Sequence, residues 1–201
     1  MSENSNAETL LAYENNLQAF LDNTPKTVSG DVQNWLEWSV GGKDMTSSIL
    51  ELGSGPGRDA DYIESLGYTV QRSDAADSFI KSMEERGHSV QRINALTDEI
   101  SGPYDLILAN CVFLHFTPAE FSTVLDKLSG SLSPGGTLAF SLKRGEGSEW
   151  SSKKVNAPRF FQYWTQDSLK ELLNSHGYTI NKIWDGSIAE KDKIYVICSK
   201  P

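Results

Sequence analysis

From residue 48 onward, short apolar runs typical of buried strands alternate with stretches whose apolar residues recur at helical spacing. Helices are predicted after the first, second and fourth strands, whereas the last two strands are too close in sequence for a helical crossover and should pair antiparallel. The predicted strands are 48–52, one beginning at 68–70, 88–93, 104–109, 137–142, 178–184 and 194–198. This order predicts an α/β fold, with a doubly wound, seven-stranded, mostly parallel sheet, a C-terminal antiparallel strand, and helices on both faces.

The flanking segments complete the predicted organisation. Before the first strand, apolar spacing predicts one helix that Thr24-Pro25 ends and a second from about residue 31 to residue 40. After the fifth strand, a long loop over 143–164 leads to a helix that Thr165 caps. A chain of 201 residues suits a single domain. We expect 1–44 to form a helical cap, 45–145 the core, and 146–201 a long loop with the last strands.

Composition excludes several classes of protein. No apolar run approaches the roughly 18 residues that a membrane span needs, and the polar N-terminus leads into no apolar segment of a secretory signal. The net charge of −9 repels phosphate backbones, so nucleic acid is not expected as a partner. Cys111 and Cys198 lie in apolar runs, which predicts reduced thiols rather than a disulfide, and no spacing indicates a metal site. These features favour a cytoplasmic protein.

A glycine-rich bend follows the first predicted strand, in the segment Glu51-Leu-Gly53-Ser-Gly55-Pro-Gly57-Arg58-Asp59. Glycines there let the backbone pass close beneath a ligand and leave amide N–H groups free to point at it. In a dinucleotide-binding bend the third glycine comes one residue later, where Arg58 stands here. The spacing therefore disfavours a nicotinamide or flavin site.

Asp74 stands 21 residues after Gly53, just beyond the second predicted strand. A carboxylate at that place in an α/β sheet accepts hydrogen bonds from the hydroxyls of a ribose. The alternative is that Asp74 caps the next helix, a role that Asp77 can take instead. A nucleoside-binding site is therefore expected above the first two strands.

Further motifs follow in order: Asn94-Ala95, Tyr104-Asp105, Asn110-Cys111-Val112-Phe113-Leu114-His115 and Pro134-Gly135-Gly136. With the glycine bend and Asp74, this series resembles the class I S-adenosylmethionine (SAM)-dependent methyltransferases, in the branch that acts on small molecules. The resemblance covers about residues 45 to 145. It implies a Rossmann-like fold, SAM as the cofactor, and a small molecule as the methyl acceptor.

The resemblance also implies which residues lie around the cofactor. The glycine bend would lie under the methionine part, Asp74 would hold the ribose, and the segment from Asn94 would meet the adenine. Relatives usually carry aspartate where Asn94 stands. Tyr13 resembles an N-terminal tyrosine that some relatives fold over the cofactor, although it also suits a helix core. The expected cofactor-binding residues are Tyr13, Glu51, Gly53, Ser54, Gly55, Gly57, Arg58, Asp74, Ala75, Asn94, Ala95, Leu96, Asn110 and Cys111.

Candidate residues for the acceptor side come from two places. His115 follows the fourth strand and is the candidate general base, with packing among neighbouring phenylalanines as the alternative. The predicted loop over 143–164 combines aromatic residues with five basic residues against two acidic ones. From it we expect Trp150, Arg159 and Tyr163 to bind the acceptor, because an arginine can bind a carboxylate with two parallel hydrogen bonds. A small anionic or aromatic acceptor is predicted.

Other functions remain open at this point. A non-catalytic SAM- or nucleotide-binding module, acting as a sensor or partner subunit, has the same motifs. A methyltransferase acting on RNA or protein is a second alternative, although the Asn/Asp-Pro-Pro-aromatic motif of nucleic-acid amino-methyltransferases is missing after the fourth strand. An NAD-dependent oxidoreductase is disfavoured by the glycine spacing and by the lack of a Tyr-x-x-x-Lys pair. The sequence leaves the oligomeric state open.

Overall fold

The computed structural model describes residues 5–187 and 192–200, so the first four residues, on which part of the leader expectation rests, lie outside it. Seven of the described strands form the central sheet in the order β3-β2-β1-β4-β5-β9-β8, with β9 antiparallel to both neighbours. The predicted doubly wound sheet is confirmed. The strands are β1 Ile49–Leu52, β2 Val70–Asp74, β3 Val90–Arg92, β4 Tyr104–Asn110, β5 Leu132–Arg144, β6 Ser148–Ser151, β7 Arg159–Trp164, β8 Thr179–Asp185 and β9 Lys193–Ser199.

The helices differ from prediction at the N-terminus, where one predicted helix is two. The break falls at Asn15 and Asn16, and the Asn16 side chain donates to the Ala12 carbonyl at 2.8 Å. Asparagine side chains compete in this way with the backbone bonds of a helix. The helices are α1 Ser5–Glu14, α2 Leu17–Asp22, α3 Gly30–Val40, α4 Arg58–Ser65, α5 Asp77–Glu84, α6 Pro118–Ser131 and α7 Gln166–Ser175, with a 3₁₀ turn at Phe113–His115.

Alternating residues of each central strand build two cores, one on each face of the sheet. On β4, Ile107 and Ala109 pack with α6 and α7, whereas Leu106 and Leu108 pack with α3 and α4. Successive strand residues point to opposite faces, so a strand buried on both faces carries apolar residues at successive positions. This is why β1, apart from Glu51, and the segment 106–109 of β4 read as apolar runs.

The predicted long loop over 143–164 is wrong, because it contains the hairpin of β6 and β7. Strand β7 pairs in parallel with Lys143 and Arg144, beyond the residues of β5 that pair with β4. Its sequence, Arg-Phe-Phe-Gln-Tyr-Trp, is rich in aromatic residues that favour strands, and this signal identifies it. The hairpin thus continues the sheet above the carboxyl end of β4.

The strand order reverses between β1 and β4, since the chain runs outward from β1 to β3 and then crosses back to β4. Open α/β sheets bind ligands beyond the carboxyl ends of their strands at such a switch point. The glycine bend follows β1 and the Asn110-Cys111 segment follows β4, so both flank this position.

The structure bears on two expectations that were drawn from the composition. Cys111 and Cys198 are free thiols, as predicted. Among the described residues, none of the helices combines the length and the apolar character that crossing a bilayer requires.

Candidate active site

The glycine bend after β1 is held in a conformation that requires glycine. Gly53 and Gly55 have φ angles of +66° and +54°, a region that L side chains rarely adopt. A Cβ added to Gly53 would also lie 2.5 Å from Cγ2 of Val112. The Val112 side chain, in the segment after β4, therefore packs directly on the backbone of the bend, where there is no room for a side chain on Gly53.

Asp74 ends β2 with its carboxylate turned toward this bend. Its Oδ2 accepts a hydrogen bond from the Gly55 amide at 2.8 Å, and its Oδ1 accepts one from the Ala76 amide at 2.9 Å. Burial raises the pKa of Asp74 to about 6, against the lowering effect of these amides. Each carboxylate oxygen has a second lone pair for a ligand hydroxyl. The expected helix cap by Asp77 is wrong, since Ala76 is the N-cap and Asp77 pairs with Arg92.

Glu51 lies beneath the bend, buried in β1. Its Oε2 has no hydrogen-bond partner among the described residues. Burial raises the pKa of Glu51 well above its usual range, and the negative charge of Asp59 raises it further, while a hydrogen bond from Ser54 opposes the shift. Glu51 is therefore largely protonated at neutral pH, with an unpartnered oxygen close to the switch point.

A chain of hydrogen bonds fixes the segment after β4. Asn110 donates to Asp59 and accepts from Ser141, both at 2.5 Å. Ser141 also accepts the Cys111 amide at 3.0 Å, and Cys111 has a φ of +60°. A residue other than glycine persists in that region only where its surroundings hold it, so these bonds order the backbone on the β4 side of the cavity.

The segment after β3 forms another part of the cavity wall. The Oδ1 of Asn94 accepts the Leu96 amide at 3.0 Å, and its Nδ2 donates to Asn6 of α1 at 2.9 Å. Ala95 is buried and lines the cavity, whereas Leu96 does not reach it. The Asn94 amide thus ties the N-terminal helix to this wall.

Tyr13, His115 and Arg159 meet in a further part of the cavity wall. His115 Nδ1 lies 2.6 Å from the Phe160 carbonyl, which can only accept, so Nδ1 carries the proton and Nε2 accepts the Tyr13 hydroxyl at 2.8 Å. Arg159 Nη1 donates to the same hydroxyl at 3.0 Å. Burial lowers the pKa of His115 to about 3, with Arg159 and Lys143 lowering it further. His115 is therefore neutral and engaged on both nitrogens.

Arg159 is a buried cation without a carboxylate partner among the described residues. It is 4% exposed, its Nη2 donates to the Lys153 carbonyl, and its Nε has no hydrogen-bond partner in the described structure. The side chain also stacks near Phe161, with 4.9 Å from Cζ to the ring centre. A buried charge is costly unless it is paired, and the hydrogen-bond partners of this guanidinium among the described residues are the Tyr13 hydroxyl and the Lys153 carbonyl.

The segments described above line one cavity of about 350 Å³, which is within the size range of small-molecule sites. Asp74 is the only carboxylate that lines it within the described residues, and four lysines join Arg159 in its wall. The structure brings these predicted residues together in the cavity wall: Tyr13, Gly53, Gly55, Asp74, Ala75, Asn94, Ala95, Asn110, Cys111, His115 and Arg159.

Seven predicted residues lie outside the wall, namely Glu51, Ser54, Gly57, Arg58, Leu96, Trp150 and Tyr163. Gly57 is the N-cap of α4, and Arg58 is bonded to Asp59 at 2.8 Å. Trp150 is 42% exposed and pairs with Phe160, so it lies on the face of the hairpin opposite Arg159. Tyr163 shares the face of Arg159 but lies farther along β7, where its hydroxyl donates to Glu149, outside the cavity wall.

The wall also contains residues that the sequence did not assign to the site, among them Phe20, Phe79, Lys154 and Lys193. Phe20 and Phe79 occupy core positions of amphipathic helices, and their rings pack edge to face at 5.0 Å. Nothing in a helical pattern separates such a residue from an ordinary core residue. The local excess of basic residues was the available signal for Lys154.

A cluster of Asp61, Glu64 and His88 on the protein surface has metal-ligand chemistry, among the residues the structure describes. Arg72 already occupies it, with Nη2 2.8 Å from Asp61 and 2.6 Å from Glu64. The cluster therefore serves as the ion-pair partner of a buried arginine.

Comparison with known proteins identifies the family. A family model described as a methyltransferase domain matches residues 11–183, and the chain belongs to this family. No curated protein matches the sequence.

Solved structures share the fold at low sequence identity. One is a complex titled DhpI-SAM-HEP, with a TM-score of 0.78, 13% identity and all of both chains covered. Another is the 1,6-didemethyltoxoflavin-N1-methyltransferase of Burkholderia thailandensis, with a TM-score of 0.75, 16% identity, and coverage of 100% of this chain and 91% of that one. The third is the magnesium protoporphyrin IX methyltransferase of Synechocystis PCC 6803, with a TM-score of 0.75, 12% identity, and coverage of 96% and 98%.

Proposed function

We propose that this protein transfers the methyl group of SAM to a small anionic acceptor, in a reducing, cytoplasmic setting that its two free thiols suit. The observation that carries the proposal is that one cavity is lined both by Asp74 with the glycine bend and by the Arg159 guanidinium, which has no carboxylate partner among the described residues. An adenosyl group and an anion therefore each have a complementary partner in the same cavity.

The residues present fit an adenosyl cofactor. The bend at Gly53 and Gly55 places no side chain in its path, and Asp74 presents a largely ionised carboxylate beside it. The Oε2 atom of Glu51, which has no hydrogen-bond partner among the described residues, supplies a further polar group under the bend. On this proposal Asp74 holds the ribose, while Asn94 and Ala95 meet the adenine and the Cys111 backbone meets the methionine part.

When bound, SAM supplies a methyl group activated on a sulfonium, ready for in-line displacement. The protein then has to hold the acceptor in line and exclude water, and positioning of this kind contributes up to roughly 7–11 kcal/mol in well-oriented systems. Arg159 binds the acceptor's anionic group. His115 accepts a hydrogen bond from the Tyr13 hydroxyl and so fixes the direction of that hydroxyl. A histidine with a pKa of about 3 is a weak base, so this proposal gives His115 a positioning role and not that of the general base.

A binding and turnover experiment tests the proposal. Calorimetry with SAM, S-adenosylhomocysteine and NAD should show binding of the first two and none of NAD. Incubation with labelled SAM and a panel of small carboxylates, phosphate esters, phenols and amines should then label an anionic member of the panel. Binding of NAD alone contradicts the proposal, and SAM binding without turnover on any acceptor favours a non-catalytic binding module.

A further inference from the structure

Lys154 lies in the turn between β6 and β7, at the edge of the cavity. Its φ angle is +78°, and its carbonyl accepts a hydrogen bond from Asn23 of the segment after α2 at 3.1 Å. The residue as a whole is exposed, yet its ammonium lies over the ring of Phe20, 3.9 Å from the ring centre. The turn therefore crosses to the N-terminal helices and directs this ammonium at the cavity.

Phe20 connects the ammonium to the cofactor end of the cavity. A Cβ built on Gly55 would lie 3.8 Å from Cε1 of Phe20, so the ring lies over the glycine bend. The ring also packs edge to face against Tyr13 and Phe79, at 5.5 Å and 5.0 Å. Lys154 is thus held above the part of the bend where the amino-acid tail of SAM would lie, whereas Arg159 is bonded to Tyr13 at the acceptor end.

The electrostatic surroundings of this ammonium favour an anion. Partial burial lowers the pKa of Lys154 to about 8, and the positive charges of Arg159, Arg58 and Lys193 lower it further, while Cys111 has the opposite effect. None of the largest interactions that shift this pKa among the described residues comes from an aspartate or a glutamate. A bound carboxylate would relieve the repulsion among these cations and restore the usual pKa of the lysine.

We infer that the Lys154 ammonium binds the α-carboxylate of the amino-acid tail of SAM and so fastens the β6–β7 turn over the bound cofactor. The inference rests on the proposed function. It gives the cofactor a cationic partner, Lys154, that lies outside residues 45 to 145, the part of the chain that carries the family motifs. It also gives different roles to two basic residues that are only five positions apart. Lys154 binds the carboxylate of the cofactor, and Arg159 binds the anionic group of the acceptor.

The test compares SAM with decarboxylated SAM, which lacks only the carboxylate, by calorimetry on the intact protein. We expect wild-type protein to bind SAM at least 10-fold more tightly than the decarboxylated form. In Lys154→Met this preference should fall to near one, through a loss of SAM affinity with little change for the decarboxylated form. Lys154→Arg should retain most of the preference. Lys170→Met on α7 removes the same charge at a distance and should behave as wild type.

Each other outcome is decisive. Equal loss of affinity for both ligands in Lys154→Met, at an unchanged midpoint of thermal unfolding, means that Lys154 shapes the cavity without reading the carboxylate and overturns the inference. A wild-type protein without any preference for SAM overturns it directly. Unchanged SAM affinity with a raised KM for the acceptor assigns Lys154 to the acceptor instead. If wild-type protein binds neither SAM nor S-adenosylhomocysteine, the proposed function itself fails.

Discussion

The carboxylate of Asp74 accepts the amide hydrogen of Gly55 at 2.8 Å, across the tops of two neighbouring strands. The acid at the end of β2 and the bend at the end of β1 therefore form one hydrogen-bonded unit, with the remaining lone pairs of the carboxylate left for a ligand. Because burial raises the pKa of Asp74 to about 6, this unit changes its hydrogen-bonding character just below neutral pH.

Cofactor affinity should therefore fall as the pH drops below about 6. Protonation turns one acceptor oxygen of Asp74 into a donor, and the ribose hydroxyls lose part of their acceptor. We expect the Kd of S-adenosylhomocysteine to rise about 10-fold between pH 7.5 and pH 5, measured by calorimetry, since one charge-assisted hydrogen bond contributes roughly 1.5–3 kcal/mol. Asp74→Asn should bind weakly throughout this range. An equally steep pH dependence in Asp74→Asn would assign the titration to another group.

The stability of the free protein should depend on pH through Glu51. Its pKa is near 4.5 in ordinary surroundings and is raised by burial in the folded protein. Between these two values the folded state binds one more proton than the unfolded state, so the free energy of unfolding falls as the pH rises. The contribution is up to about 1.4 kcal/mol per pH unit. Glu51→Gln should reduce this slope between pH 5 and pH 7 in urea unfolding.

The comparison for Glu51 is the surface variant Glu84→Gln, in which the same group is removed from the end of α5. It should leave the slope as in wild-type protein. A Glu51→Gln slope equal to that of wild type would show that Glu51 is ionised in the folded protein.

The sequence predicts the central sheet because β1, apart from Glu51, and the segment 106–109 of β4 are apolar, as expected of strands buried on both faces. It also predicts the cofactor end of the cavity, since Gly53, Gly55 and Asp74 follow strands directly, and a strand's end fixes where they lie. No comparable rule places residues of a hairpin.

The acceptor end is harder to predict for this reason. Arg159 and Tyr163 lie on the same face of β7 because side chains alternate along a strand, but only Arg159 is in the cavity wall. From the sequence alone this strand was predicted to be a loop. Phe20 reaches the bend only because the chain breaks at Asn16 and turns α2 over it. Such contacts between distant segments depend on packing that no local pattern encodes.

The Tyr13 hydroxyl should affect the acceptor more than the cofactor. It lies between His115 and Arg159, whereas its ring packs on the cofactor side against Phe20 and Phe79. Tyr13→Phe keeps the ring and removes the hydroxyl, leaving His115 Nε2 and one Arg159 N–H without this partner. We expect the KM for the acceptor to rise about 10-fold and the Kd of S-adenosylhomocysteine to change less than 3-fold, since a buried unpaired polar group costs roughly 1–3 kcal/mol.

Tyr62→Phe is the matched control for Tyr13→Phe, because the Tyr62 hydroxyl is bonded to Glu37 at the surface and Tyr62 is not in the cavity wall. Its kinetics should equal those of wild type. If Tyr13→Phe weakened cofactor binding as much as acceptor binding, the hydroxyl would belong to the cofactor site.

Arg159 should determine the affinity for the acceptor's anionic group. Arg159→Ala removes the buried guanidinium whose Nε has no partner among the described residues, and we expect the KM for the acceptor to rise 100-fold or more, as for loss of a buried charged pair worth roughly 3–5 kcal/mol. The KM for SAM should change only a few-fold. Arg159→Lys should restore little, because an ammonium lacks the planar pair of donors that fits a carboxylate.

Arg144→Ala provides the control for charge, since Arg144 belongs to the same basic stretch but pairs with Asp185 at the surface. Its effect on the KM for the acceptor should be small and should shrink further at high salt. Equal increases of KM for SAM and for the acceptor in Arg159→Ala would mean that the guanidinium supports the cavity as a whole. An acceptor without an anionic group that is methylated equally well by Arg159→Ala and wild type would place the selectivity elsewhere in the wall.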